Sequence, residues 1–176
     1  QKKCSSNTPI NRDGWFMMIL GVDPGTIKMG YSLLEIQEGK MSLEDYGTVS
    51  LPAKMNIDMR LYQMHSHIMN MINIFRPECV CVEEPFLGSG SKQFFKSTLA
   101  IGQAQGAVLI AAASAKIPVS RYTPSKIKSS VVGYGNASKE AVQDVVFNLF
   151  GIKDSPSDDA TDAIAIAVCH ALSSRA

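Results

Sequence analysis

The chain has 176 residues, 45% of them hydrophobic, and a formal net charge of +1, which suits one globular domain with an ample core. Near-neutrality is unusual for a protein that grips DNA over its whole surface, so any nucleic-acid site must be a local basic patch. No apolar run reaches the roughly 18 residues that span a bilayer, and no signal-type apolar segment precedes the first strand, so the reading is a soluble protein.

The first sixteen residues, Gln1 to Phe16, are polar, lack periodicity and do not begin with Met. They read as a cloning remnant or an unstructured extension, with Met17 or Met18 as the natural start and residues 17–174 as a single domain. From Met17 to Val22 a short apolar run ends at Asp23-Pro24-Gly25, the pattern of a buried central strand followed by a turn. A second strand is expected over Gly30 to Ile36 and a third around Tyr46 to Leu51. Glu38-Gly39 between them reads as a hairpin turn, and antiparallel pairing of the three is the simplest arrangement.

After Pro52 the hydrophobic period changes to about three and a half. Ile57, Leu61, Met64, Ile68, Met71 or Ile72 and Phe75 form one helical stripe, with Asn56 as its N-cap and Pro77 as its stop. Cys79 to Val82 is a short buried strand whose carboxyl end delivers Glu83, as the first strand delivers Asp23. A Gly/Ser loop follows from Leu87 to Ser91. A long helix rich in Gly and Ala is expected from about Gln93 to Ala115, packed closely on the sheet or against a second copy. Ile117 to Arg121 is a fifth strand, and Thr123 caps a short helix through Val132. Gly133 to Asn136 is a break, Ser138 starts a helix to Phe150, and the last helix runs from Ser157 or Asp158 to about Leu172. The order implies an α/β protein: a mixed five-stranded sheet, three antiparallel strands and then parallel ones, with helices on both faces.

Four acidic positions, Asp23, Glu83, Asp159 and Asp162, lie far apart in the chain, and one fold that gathered them would make a metal-binding cluster. Like-charged buried carboxylates resist ionisation unless a cation compensates them. Oxygen donors without Cys or His favour Mg²⁺, with Mn²⁺ as substitute, over Zn²⁺. Two such ions about 3.5–4 Å apart serve in-line displacement at phosphorus, which points to a metal-dependent nuclease. Each residue also has a plainer reading. Asp-Pro-Gly is a common turn, and acids at a helix start are favoured by its dipole. Glu83 and Glu84 must point to opposite faces of a strand, so only one can join the cluster. What favours the cluster is the apolar run Ala163 to Val168, which buries the last helix and brings its first-turn acids to the strand ends.

Lys139 stands against the positive end of a helix dipole, a cost that phosphate contact would justify, although a solvated lysine offset by Glu140 serves as well. Lys92 and Lys96 flank Phe94 and Phe95, and Lys126 and Lys128 precede the glycine break. Such interleaving suits a surface that tracks a nucleic-acid backbone, and equally an ordinary solvated helix face. Phe86 either wedges between bases or anchors its loop. His65 and His67 face different directions, and His170 reads as a packing or surface histidine. Cys4, Cys79, Cys81 and Cys169 fit neither a disulfide framework nor a zinc site by spacing, and read as reduced cysteines of a cytoplasmic protein.

With these residues in place, the chain resembles the RuvC family of Holliday-junction resolvases from Met18 to His170. The resemblance is carried by Leu20-Gly21-Val22-Asp23-Pro24-Gly25 with Gly30-Tyr31, by Val82-Glu83 with Phe86, and by Gly102-Gln103-Ala104 with Gly106. It continues through Lys128, Val131-Val132-Gly133 and Lys139, then Asp159-Ala160 and Asp162-Ala163 through Ala167 to His170. It implies a ribonuclease H-like fold that forms a homodimer and cuts four-way DNA junctions by paired symmetric nicks in recombination and repair. By position it implies metal-binding acids at Asp23, Glu83, Asp159 and Asp162 around two ions, with Lys128 and Lys139 as catalytic or DNA-contacting lysines. Phe86 falls on an inserting aromatic, and Lys92 is expected to touch DNA. A branch-migration motor of the RuvAB kind is the implied partner, and the nucleoid in the cytoplasm the implied location. Two departures stand out: the segment from Leu87 to Ala100 is longer than usual, and Gln105 stands where a basic residue is common, removing a possible phosphate contact. The alternatives are a relative that binds junctions or RNA without cutting, and an actin-like ATPase suggested by Asp-Pro-Gly-Thr, which generally needs two such domains.

Overall fold

The computed structural model describes residues 16–84, 92–154 and 156–174, with the backbone alone for residues 92–97. Chain order is β1 (Phe16–Asp23), β2 (Lys28–Gln37), β3 (Lys40–Ser50), α1 (Ile57–Phe75), β4 (Cys79–Glu83), α2 (Lys92–Ser114), β5 (Val119–Tyr122), α3 (Pro124–Val132), α4 (Lys139–Phe150) and α5 (Asp158–Ser173). The five strands form one sheet in the order β3-β2-β1-β4-β5. β2 pairs antiparallel with both β1 and β3, and β4 runs parallel to β1 and β5. This is the expected mixed sheet, with β1 at its centre. Among the described residues no helix is long and apolar enough to cross a membrane.

Two cores result from the period-2 alternation of the central strands. Met18, Leu20 and Val22 of β1, with Val80 and Val82 of β4, pack against buried residues of α1 and α2. Ile19 of β1, with Cys79 and Cys81 of β4, packs on the other face with α3, α4 and α5. By the same alternation Asp23 and Glu83 fall on the α5 face of the sheet.

The third strand begins earlier than its sequence suggests. Glu38 and Gly39 both have positive φ, 49° and 80°, so the two-residue turn starts the β2–β3 ladder at once, pairing Gln37 with Lys40. β3 is an edge strand carrying Ser42, Glu44 and Asp45, with a register shift opposite Leu33/Leu34, and this polarity hides it from an apolar-run criterion. The fifth strand starts two residues later than expected. Lys116 takes a left-handed φ of 59°, and the Ile117 N–H donates to Ala112 O at 2.9 Å, closing α2 before β5 begins. Asn56 holds the N-cap position of α1 without a capping side-chain hydrogen bond, whereas Thr123, Ser138 and Ser157 each accept from a backbone N–H of the first turn they cap.

α5 lies directly on β1 and β2. Ala163, Ala165, Ala167 and Ala171 are buried along it, and the Ser32 hydroxyl donates to Ala163 O at 2.8 Å. A Cβ at Gly21 would stand 2.3 Å from Ala163 O, and one at Gly30 would stand 1.8 Å from Asp159 O. Glycine at these two positions lets the helix backbone touch the sheet. Thr48 of β3 also hydrogen-bonds the hydroxyl of Ser157, the N-cap of α5.

Candidate metal centre

The carboxylates come from three elements that end at one place. Asp23 is the last residue of β1 and Glu83 the last of β4, and the parallel register, which pairs Val22 with Val82, sets the two ends side by side. α5 brings its amino end to the same spot because Gly30 admits the Asp159 carbonyl. Asp159 and Asp162 are three apart and share a face of that helix. Asp158 instead is exposed and accepts from Gln143 Nε2 at 3.1 Å.

Mutual repulsion marks the cluster. Asp23 is raised from an ordinary 3.8 to about 7 by burial, then by the charges of Asp162, Glu83 and Asp159, with Lys139 opposing. Burial and Asp162 raise Glu83 against the opposing charges of Lys128 and Lys139. Burial raises Asp162, with Asp158 and Asp159 adding to it and the Lys139 hydrogen bond opposing. Among the described residues no three of these acids bring oxygens within 4.8 Å of one another. The fold therefore brings the carboxylates to one place without closing three of them to within that distance. Lys139 Nζ supplies the nearest compensation, 3.0 Å from Asp162 Oδ2 and 3.3 Å from Asp158 Oδ2. Burial alone would lower this lysine, but the two carboxylates outweigh it and raise it. An all-oxygen donor set with uncompensated negative charge fits a hard divalent cation.

A cleft of about 270 Å³ opens beside the acids, lined by Glu83, Lys128, Lys139 and Asp162, with Pro124, Ile127, Val142 and Ala165 as apolar walls. Two lysines and two carboxylates on one cleft can hold a phosphate diester and a cation together. Glu84 is exposed, its N–H donating to Tyr122 O at 2.8 Å, so the alternation separates the two glutamates as expected. Lys92 opens α2, but its side chain lies outside the described residues, as does Phe86 altogether. His170 meets Tyr122, Cys79 and Cys81.

Gln105 is a residue whose place the sequence did not reveal. It is buried, and its Nε2 donates to Glu83 O at 3.0 Å, pinning the carboxyl end of β4 from the α2 side. An amide amid the Gly/Ala run of α2 was the available signal. Gln105→Leu leaves that carbonyl unpaired, at a cost of about 1–3 kcal/mol. The expected result is a lower melting temperature together with weaker Mg²⁺-induced stabilisation; unchanged stabilisation by Mg²⁺ would show that Glu83 does not depend on this bond.

A family model described as "Crossover junction endodeoxyribonuclease RuvC" matches residues 19–170. A protein of that name from Syntrophomonas wolfei is 40% identical over 155 residues, covering 88% of each chain. Another from Moorella thermoacetica is 42% identical over 156 residues, covering 88% of this chain and 91% of its own. The structure titled "T. thermophilus RuvC in complex with Holliday junction substrate" superposes with a TM-score of 0.82 at 32% identity, covering 90% of this chain and 95% of that one. The yeast mitochondrial Holliday junction resolvase Ydc2, at 16% identity and a TM-score of 0.64, shares the fold.

Proposed function

Since the chain belongs to the RuvC family of crossover junction endodeoxyribonucleases, we propose that it resolves four-way DNA junctions by metal-dependent phosphodiester hydrolysis at the cluster of Asp23, Glu83, Asp159 and Asp162. The observation that carries this assignment is the meeting of acids from β1, β4 and α5 at one place, with Glu83 and Asp162 lining a lysine-bearing cleft. Loss of cleavage with retained junction binding would fit a relative in which the acids had been lost, and here all four are present.

A divalent cation held by these carboxylates would supply Lewis acidity to the attacking water and to the leaving oxygen. We assign Mg²⁺, replaceable by Mn²⁺, and two ions per centre. Asp23, with Glu83 on the neighbouring strand and Asp159 and Asp162 on α5, would hold them. Glu83 is held in register by Gln105. Lys139, paired with Asp162 in this arrangement, becomes available to the scissile phosphate once the negative charge is otherwise compensated. Lys128, across the cleft beside Glu83, takes a neighbouring phosphate.

Symmetric nicks on a four-way junction need two such centres, so a homodimer is the working unit. Phe86 and Lys92 are the DNA contacts that the family resemblance implies, and a branch-migration motor would deliver the junction at the nucleoid. The test is cleavage of a synthetic mobile four-way junction, with linear duplex as control, in Mg²⁺ and then in EDTA. Paired nicks that require metal and spare the duplex are expected; tight junction binding without nicks in either Mg²⁺ or Mn²⁺ overturns the assignment in favour of a binding-only relative.

A further inference from the structure

The α5 face of β4 carries Cys79, Cys81 and Glu83 in alternation. Glu83 belongs to the acid cluster, whereas the two cysteines meet His170 from two turns further along α5. Among the described residues, these make the one group of three or more His, Cys, Asp or Glu residues whose donor atoms all lie within 4.8 Å of one another. We propose that Cys79, Cys81 and His170 form a second, thiolate-rich metal site for a thiophilic d¹⁰ cation, with Zn²⁺ as its prime occupant.

The geometry is that of a ligand set. Cys79 Sγ and Cys81 Sγ are 3.7 Å apart, and two thiolates at about 2.3 Å from a tetrahedral Zn²⁺ stand about 3.8 Å from each other. The His170 ring is fixed by a 2.7 Å hydrogen bond between its Nδ1 and the Tyr122 hydroxyl, the outer-shell contact that orients a ligating imidazole. Ser120 Oγ lies 3.3 Å from Cys79 Sγ and steadies that thiol in the same way. Both cysteines are buried, and half-buried His170 gives an ion its way in. On binding, the two thiols release their protons to solvent and each sulfur donates a lone pair to the cation. The imidazole donates a third, so a dication and two thiolates leave a neutral centre suited to an apolar surrounding. Soft sulfur donors select against Mg²⁺, so the two sites do not compete for one ion.

Such a site staples β4 to α5, the two elements that carry Glu83 and the Asp159/Asp162 pair. The sequence conceals it because a Cys-x-Cys on a strand and a single histidine far downstream match no ligand spacing, and only the parallel sheet with α5 across it brings them together.

The test is Co²⁺ titration of the full chain with Cys4→Ser, in excess Mg²⁺, read as the sulfur-to-cobalt charge-transfer absorption. One equivalent should develop the band, Zn²⁺ should bleach it, and Zn²⁺ should raise the melting temperature beyond what Mg²⁺ achieves. Cys81→Ser and Cys79→Ser should each lose most of the band, and His170→Gln should weaken Co²⁺ binding by at least about 10-fold. Cys169→Ser, whose thiol lies 3.4 Å from Ser130 Oγ, should leave the band intact. Absence of the band in the protein with all three ligands overturns the proposal whatever the variants do, as does a band that survives Cys79→Ser and Cys81→Ser together.

Discussion

Asp23→Asn is expected to lower junction cleavage by at least about 10²–10³-fold, the scale for losing one electrostatic stabiliser of a transition state, while junction binding persists. The same substitution should stabilise the metal-free protein. Asp23 is buried and raised to about 7 by that burial and by Asp162, Glu83 and Asp159. A carboxyl whose folded pKa lies above its unfolded value favours the fold most when protonated. Its contribution is complete below about pH 4 and is lost as pH rises through about 7. A shift of this size corresponds to about 4 kcal/mol at most. Asparagine cannot ionise, so melting temperature in EDTA should fall less between pH 4 and pH 8 in the variant than in the parent. Glu83 and Asp162 are raised as well, so some slope should remain. Mg²⁺ should reverse the order: the parent gains stability on binding, and the variant gains little. Surviving cleavage would remove Asp23 from the metal assignment, and identical pH profiles in EDTA would refute the account of its burial.

Much of this site is legible in the chain because it rests on short-range rules. Asp23 and Glu83 each follow a brief apolar run, so two strand ends carrying acids could be expected, and alternation along β4 decides between Glu83 and Glu84. Thr123, Ser138 and Ser157 announce their helices because a capping hydroxyl is a local device. What escapes is whatever depends on the meeting of remote segments. Gly21 and Gly30 look like strand glycines, and only the closeness of Ala163 and Asp159 reveals what they admit. Gln105 looks like a missing cation until its amide is seen beneath Glu83. β3 is longer than its apolar residues suggest because an edge strand draws its pairing from β2 and needs little burial of its own. The cysteines lacked a partner in sequence and gained one through the path of α5.

Gly30→Ala is the substitution that separates folding from assembly of the centre. Its Cβ would lie 1.8 Å from Asp159 O, 2.4 Å from Asp159 C and 3.1 Å from Ala160 N. All three are backbone atoms, so no rotamer change relieves the clash and the first turn of α5 must lift from β2. The helix is held further along by Ser32 on Ala163 and by its buried alanines, so the displacement concentrates where Asp159 and Asp162 face Asp23. Overpacking of this kind costs about 1–3 kcal/mol, which a domain of this size can survive. A misplacement of about 1 Å in a catalytic constellation, however, can cost on the order of 10²-fold in rate. The expected result is a folded protein with a modestly lower melting temperature, little stabilisation by Mg²⁺, and junction cleavage reduced about 10²-fold with binding retained. Gly39→Asn on the neighbouring hairpin is the control: a Cβ there meets nothing within 4 Å, and asparagine tolerates its positive φ, so cleavage should stay near the parent's. Gly30→Ala cutting at the parental rate would mean that the approach of α5 to β2 does not set the position of the acids.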